Sequence, residues 1–174
     1  MAGNTKALRI RIKSVNSTLQ LTKAMELVAS SKIRRANEAM QKAREYTASL
    51  EKSISLLTSE KECLKSPYMR QSENPKTKII VIAGDRGLAG GYNSNVFRLC
   101  TSFPDAEFIP IGKRACERFD TEINSSEHFS FSDAALLADK LCKDFSEEKF
   151  DRLGVIYTKY NSVNVAKSVK VTKN

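Results

Sequence analysis

The sequence has few of the residues on which most chemical sites depend. Its 174 residues include one histidine, His128, four cysteines and no tryptophan. No pair of cysteines has the C-x-x-C spacing of a zinc site, and a single histidine in an ordinary loop defines no Ser–His–Asp set. We therefore expect no catalytic residue, metal or cofactor, and we interpret the cysteines as reduced packing residues. They are Cys63, Cys100, Cys116 and Cys142.

Long apolar runs are also missing. No segment approaches the roughly 20 apolar residues that span a bilayer, and the N-terminus has no apolar signal-peptide core. Hydrophobic residues make up 41% of the chain and charged residues 28%, which is typical of a folded soluble protein. We expect a protein inside the cell.

Neither glycine nor proline occurs between Gly3 and Pro67, and this absence predicts one helix from Ala7 to about Leu64. Steps of three and four residues define an apolar seam with the 3.5-residue period of a coiled coil, so the helix needs a partner helix. At 1.5 Å per residue it would reach roughly 80 to 90 Å, beyond the globular domain that the remaining chain can form. The seam is Ile12, Val15, Leu19, Thr22, Glu26, Ala29, Ile33, Ala36, Met40, Ala43, Thr47, Leu50, Ile54 and Leu57.

The net charge of +9 is concentrated in the N-terminal quarter. Ten basic residues and three glutamates precede residue 46, so this segment carries +7. Such a basic helix favours an acidic or polyanionic partner, although a solvated helix face would have the same composition.

After a connector from Lys65 to Lys78, the pattern changes to short β-branched runs alternating with amphipathic segments. This order predicts an α/β fold in which the long coiled-coil helix is followed by an open, Rossmann-like sheet domain. Pro110 indicates an edge or irregular strand. We predict the divisions 1–66, 67–77 (linker) and 78–174. The expected strands are Lys78–Ala83, Glu107–Gly112, Arg152–Tyr157 and one from Val163 to Val171, and the expected helices are Tyr92–Cys100, capped by Asn93 or Ser94, Lys113–Phe119 and Ala134–Phe145 after Ser132 and Asp133.

A glycine-rich turn, Gly84 to Gly91, follows the first predicted strand. Its spacing fits neither the dinucleotide fingerprint, because Arg86 and Ala89 occupy glycine positions, nor a P-loop, because it contains no lysine. We interpret these glycines as structural. Asp85 and Arg86 stand where an α/β sheet places catalytic residues, yet alone they are weak evidence for an active site.

Two segments resemble the γ subunit of bacterial F-type ATP synthases. One runs from Arg9 to Ala36 around Thr22-Lys23-Ala24-Met25-Glu26-Leu27-Val28-Ala29, and the other is Asp85 to Asn95. The resemblance implies a central rotor stalk inside a ring of α and β subunits, with the α/β domain contacting the ε subunit and the c-ring at the cytoplasmic face of the membrane. Rotation of this shaft would couple proton flow to ATP synthesis, without a catalytic site or cofactor in this chain.

The same resemblance assigns two sets of residues. The set that would face the ring is Thr22, Lys23, Met25, Glu26, Lys32, Arg34 and Arg35, and the set that would form a structural loop is Gly84, Asp85, Arg86, Gly87, Gly90, Gly91 and Asn93. Within the first set, a flexible apolar Met25 would slide past acidic loops where a cation would form a charge pair.

The family continues into a second long helix that covers the seam, whereas this chain stops at Asn174, so we expect a chain truncated relative to the family. The sequence leaves three explanations open: a shortened chain, a second chain that supplies the missing helix, or two copies that pair through the seam. An uncovered seam would favour a homo-oligomer in isolation. Two other functions remain open. One is a polyanion or nucleic-acid binder that uses the basic helix, and the other is a small phosphate-binding α/β enzyme.

Overall fold

The computed structural model describes residues 2–70, 72–87, 89–159 and 169–171. The chain divides into two compact units, residues 1–64 and 65–174. The finer domain boundaries given above stay a prediction.

The first unit is built on the α-helix α1, Ala2–Ser59. Several hydroxyl side chains of α1 find a hydrogen-bond acceptor within the helix itself. Thr18, Thr22 and Thr47 each donate a hydroxyl hydrogen bond to the backbone carbonyl four residues earlier. The helix ends five residues before the predicted Leu64. Ser59 donates its hydroxyl to the Leu56 carbonyl at 2.6 Å, and the Glu60 N–H bonds three rather than four residues back, so the last turn tightens and stops the helix.

The second unit is built on a four-stranded sheet in the order β2-β1-β3-β4. The strands are β1 Thr77–Ile82, β2 Glu107–Ile111, β3 Arg152–Thr158 and β4 Val169–Val171. β1 pairs in parallel with both β2 and β3, whereas β4 runs antiparallel to β3. β2 is the edge strand that Pro110 predicted. The predicted start of the last strand, Val163, lies outside the described residues.

The core lies between this sheet and the helix α2, Tyr92–Cys100. Ile79 and Val81 of β1 point to that face and pack with Val96 and Cys100 of α2 and with Ile156 of β3. Because side chains alternate along a strand, Lys78 points to the opposite face. The sheet therefore has an apolar face under α2 and a second face that carries charge.

The described part of this unit contains two further α-helices, α3 Lys113–Phe119 and α4 Phe131–Ser146, and a 3-10 turn at Pro67–Met69. α4 begins three residues before the predicted Ala134. Its N-cap is Ser130, whose side chain bonds the Asp133 N–H while Asp133 bonds back to Ser130, forming a capping box. α2 begins directly after Gly91 with no side-chain cap, so the prediction of Asn93 or Ser94 as its cap was wrong.

Candidate interaction surface and the loop at Asp85

The seven residues of α1 that were assigned to a partner surface are all solvent-exposed: Thr22, Lys23, Met25, Glu26, Lys32, Arg34 and Arg35. Met25 exposes 64% of its surface, and its apolar neighbours Leu21 and Val28 expose 63% and 59%. Exposed apolar groups of this size on one short stretch are typical of a surface that another molecule covers.

These residues do not form a single face. Successive residues of an α-helix lie about 100° apart, so Lys23 and Arg34 share one side, whereas Met25 and Lys32 share the other. Thr22 and Glu26 lie between these sides on the seam, and Arg35 points away from it. The helix therefore presents binding groups around its whole circumference, as a rod enclosed by partners would.

The cations in this region are available for acidic partners. Arg34 lies 3.9 Å from Glu38 across the exposed helix surface, where an ion pair contributes little. The first 34 residues contain seven basic side chains and one acidic side chain, Glu26. The surface is thus strongly electropositive with an apolar patch at Met25.

Asp85 organises the loop after β1. Its carboxylate accepts hydrogen bonds from the backbone N–H groups of Lys113 (3.0 Å), Ser126 (2.9 Å) and Glu127 (3.1 Å). The hydroxyl groups of Ser125 and Ser126 also donate to it, at 2.5 and 3.1 Å. One half-buried side chain thereby joins the end of β1, the start of α3 and the loop that precedes α4.

This environment keeps Asp85 ionised. Burial opposes the charge, but the hydrogen bonds from the Ser125 hydroxyl and from the backbone of Lys113, Ser126 and Glu127 outweigh it and hold the pKa of the Asp85 carboxyl well below its usual range. A carboxylate with five donors around it is a poor general base, because abstracting a proton would require breaking these bonds. The geometry supports a structural role.

The glycine-rich turn uses its own polar groups in a similar way. The Asn93 side chain accepts a bond from the Gly84 N–H at 2.9 Å and donates one to the Arg86 carbonyl at 3.2 Å. The Gly84 N–H, which a phosphate at the start of the turn would need as a donor, is therefore already bonded to Asn93. Within the described part of the turn, Gly90 has the left-handed φ of +56° that favours glycine.

The charged face of the sheet carries a network that sequence reasoning missed. Lys78, whose side chain is 12% exposed, lies 3.1 Å from Glu107 and 3.7 Å from Asp144. Asp144 also binds Lys149 at 2.8 Å, and this hydrogen bond lowers the pKa of its carboxyl and raises the pKa of the Lys149 ammonium. The network links β1, β2 and α4.

Arg70, in the segment read as a connector, is a second missed residue. Its guanidinium donates to the Phe150 carbonyl at 3.2 Å and to Asp151 at 3.0 Å, pairs with Glu148 at 2.9 Å and stacks over Phe145. Arginine can make all of these contacts at once because its fork is planar. In the sequence, Arg70 is simply a basic residue in a polar connector. That pattern gives no indication that its partners lie 80 residues further along the chain.

No group of three or more His, Cys, Asp or Glu side chains within the described ranges is placed to hold a metal ion. None of the helices in those ranges combines the length and hydropathy that a bilayer-spanning segment needs.

Comparison with known proteins gives a consistent result. A family model described as ATP synthase matches residues 4–173. The chain is 35% identical over 174 residues to the sodium-ion-specific ATP synthase gamma chain of Acetobacterium woodii, covering 93% of this chain and 58% of that one. It is 37% identical over 167 residues to the ATP synthase gamma chain of Alkaliphilus metalliredigens, covering 89% and 58%.

A solved structure, titled as the central stalk and c-ring of the mitochondrial ATP synthase of Tetrahymena thermophila, matches with a TM-score of 0.63. The match covers 88% of this chain and 70% of that one at 22% identity, and at this identity it is evidence for the fold alone. It confirms the expected long helix followed by an α/β sheet domain.

The comparisons do not support the two other functions, the polyanion binder and the phosphate-binding enzyme. The chain spans about 58% of the length of these two curated relatives. Since the family model covers nearly all of this sequence and these relatives are gamma chains, the chain belongs to the ATP synthase gamma-chain family.

Proposed function

We propose that the chain serves as the central rotor stalk of an F-type ATP synthase, coupling proton-driven rotation to ATP synthesis in the ring of α and β subunits. The observation that carries the proposal is α1, a 58-residue helix with exposed cations and apolar groups around its circumference, in a chain of the gamma-chain family. A rod that turns inside a ring meets different partners in succession, so it needs binding groups on every side.

The α/β unit is proposed to contact the ε subunit and the c-ring, which would place the chain peripherally at the cytoplasmic face of a bacterial membrane. Its glycine-rich loop is closed by Asn93 and Asp85 rather than open to a ligand. Such a loop suits a rigid unit that transmits force, with no catalytic centre of its own.

Met25 is proposed to let the shaft turn past acidic partner loops. Its side chain is flexible, apolar and mostly exposed, so it makes contacts that change little in energy as the partner moves. Lys23, Lys32, Arg34 and Arg35 are proposed to meet acidic subunit surfaces, and Thr22 and Glu26 complete the region.

Reconstitution with cognate α and β subunits tests this function. The chain is expected to co-elute with an α/β assembly on size-exclusion chromatography with light scattering. The double reversal Lys23→Glu and Arg34→Glu, on one side of the helix, should weaken assembly at least tenfold. Lys42→Glu with Lys52→Glu changes the net charge equally outside the assigned region and should leave assembly near that of the unaltered chain.

Absence of a complex at every stoichiometry would overturn the stalk function. Equal weakening by both pairs of substitutions would overturn the assignment of the region around Met25, because only net charge would then matter.

The exposed seam of α1 supports one finer proposal, self-association of the chain when it is isolated. Seam residues in the described helix are exposed by about half, for example Ile12 by 52% and Ile54 by 48%. A long apolar stripe of this kind, interrupted at Thr22, Glu26 and Thr47, is unfavourable in water.

A further inference from the structure

The two outer parts of the α1 seam have the same residue types when the seam is read in either direction. Any seam of this length has symmetric spacing, but its residue types need not match. Here bulky aliphatic residues occupy both ends and the two threonines stand at equal distances from the centre, whereas the six central residues mix three alanines with Glu26, Ile33 and Met40. The pairs that match in type are Ile12 with Leu57, Val15 with Ile54, Leu19 with Leu50 and Thr22 with Thr47. The inner pairs, Glu26 with Ala43, Ala29 with Met40 and Ile33 with Ala36, stand at equal distances from the centre but differ in type.

We propose that two copies of the isolated chain pair antiparallel through this seam, about a two-fold axis at residues 34 and 35. In an antiparallel coiled coil each layer joins an a position of one helix to a d position of the other, and all seven pairs join positions in this way. The inference deepens the self-association proposed above and does not depend on the stalk function.

The two threonine layers fit this arrangement. Thr22 donates its hydroxyl to the Thr18 carbonyl at 2.9 Å, and Thr47 donates to the Ala43 carbonyl at 2.8 Å. Both hydroxyl donors are satisfied before any partner arrives, so pairing buries no unmet donor at these layers. Thr22 of one copy would meet Thr47 of the other through similar, largely aliphatic surfaces.

Charge selects the antiparallel direction. Up to residue 34 the helix has seven basic residues and one acidic residue, whereas residues 35–59 have four basic and three acidic residues. A parallel pair would place the two strongly basic halves side by side. An antiparallel pair places each basic half beside a nearly neutral half that holds Glu38, Glu45 and Glu51, which reduces the repulsion.

The flanks of the seam give one favourable and one unfavourable contact. Met25 of one copy would lie beside Tyr46 of the other, an apolar sulfur–aromatic contact. Lys23 would lie beside Arg44 of the other copy, a like-charge pair that occurs twice in the dimer. This repulsion provides a substitution that should strengthen the pairing.

The paired length is sufficient for a stable coil. The seam from Ile12 to Leu57 extends about 68 Å and contains about six and a half heptads, compared with the three to four that support a coiled coil. Half-exposed side chains such as Leu19 (51%) and Leu50 (45%) are available along it.

Sedimentation equilibrium of the full chain tests the pairing. We expect a reversible monomer–dimer equilibrium at micromolar concentration. The Glu26–Ala43 layer already places one carboxylate per copy at the interface, beside a small residue. Leu19→Asp should weaken the dimer about 100-fold, because it adds a second carboxylate per copy and removes the leucine contacts of two layers. The matched control is Leu27→Asp on the outer face, where Leu27 is 73% exposed, and it should change the dissociation constant less than threefold. Arg44→Glu should tighten the dimer several-fold, a gain that misfolding cannot produce.

Spin labels determine the direction. With Cys63 and Cys142 replaced by serine, one label is placed at Arg35→Cys and, separately, at Lys13→Cys. Antiparallel pairing predicts a short distance between the two labels at position 35 and about 65 Å between those at position 13, from the helix rise. Short distances at both positions would show a parallel pair and overturn the inference.

A chain that stays monomeric at all concentrations would also overturn it. If that monomer still assembled with α and β subunits, the stalk function would stand while the self-pairing failed, so the two proposals fail separately.

Discussion

Replacing Asp85 by asparagine should destabilise the α/β unit without changing its packing volume. The substitution keeps one acceptor oxygen and turns the other into an NH2 group. If the amide oxygen takes the place of Oδ1, Lys113 and Ser126 keep their acceptor, while the new NH2 group faces the Glu127 N–H at the former Oδ2 position. Two donors then face each other, and the charge that strengthened all five bonds is gone.

The expected loss is about 2 kcal/mol. Hydrogen bonds to a charged group contribute about 1.5–3 kcal/mol each, and leaving a donor unpaired costs about 1–3 kcal/mol when it is buried. Asp85 is half-buried and Glu127 is exposed, so water can replace some of the hydrogen bonds that the substitution removes. We therefore take the total loss in the free energy of unfolding to equal that of one hydrogen bond to a charged group. For a domain of this size, the loss lowers the midpoint of thermal unfolding by roughly 8 °C.

Urea unfolding at pH 7, followed by amide exchange of β1, measures the difference. Asp139→Asn removes a carboxylate from an exposed position on α4 and serves as the control. Since the folded-state pKa of Asp85 lies below its unfolded value, near 3.9, its contribution is complete above pH 4 and declines as the pH falls through the folded-state pKa. The gap between the unaltered chain and Asp85→Asn should therefore narrow below about pH 4. If Asp85→Asn is as stable as Asp139→Asn at pH 7, the carboxylate does not hold the loop together.

Three further substitutions test other parts of the structure. Gly112→Ala should cost about 3 kcal/mol in urea unfolding, because φ is +100° and a Cβ would lie 2.1 Å from the Ala83 carbonyl oxygen; Gly91→Ala, at φ −79°, is the milder control. Arg70→Lys should speed proteolysis between residues 61 and 76 about tenfold because it loses the planar fork, and an equal rate for the exposed-site control Arg98→Lys would contradict this. Met25→Lys, in a reconstituted complex, should lower ATP turnover about fivefold, since a surface charge pair of about 1 kcal/mol adds to the barrier; an equal effect of Leu56→Lys would refute the special position of Met25.

Local patterns predicted the elements of the fold well, because each depends on nearby residues. The absence of glycine and proline indicated α1, and Pro110 indicated the edge strand. The errors at element ends have local causes too. Hydroxyl groups at Thr58 and Ser59 bond to carbonyls of the last turn and end α1 early. Ser130 and Asp133 cap α4 one turn before its apolar pattern begins.

The arrangement around Asp85 could not be predicted in this way. Its donors are 28 and 40 to 42 residues along the chain, and nothing in Ser125 or Ser126 distinguishes them from other loop serines. The same holds for Asp144, which sequence alone places on an amphipathic helix but not beside Lys78. Such contacts depend on how β1 and β2 bring distant loops to one edge.

Arg70 also bears on the order in which the α/β unit folds. Its bonds to Phe150 and Asp151 close loops of 80 and 81 residues, and the Lys76 carbonyl accepts bonds from the backbone of Asp151 and Arg152 nearby. Contacts this distant form only after the intervening strands have assembled, because the chain must first lose the entropy of closing the loop. We therefore expect the Arg70 bonds to form after the folding barrier has been crossed, so that Arg70→Lys speeds unfolding in stopped-flow measurements while refolding keeps its rate. Arg70 is thus expected to lower the rate at which the segment that begins this unit detaches and unfolds.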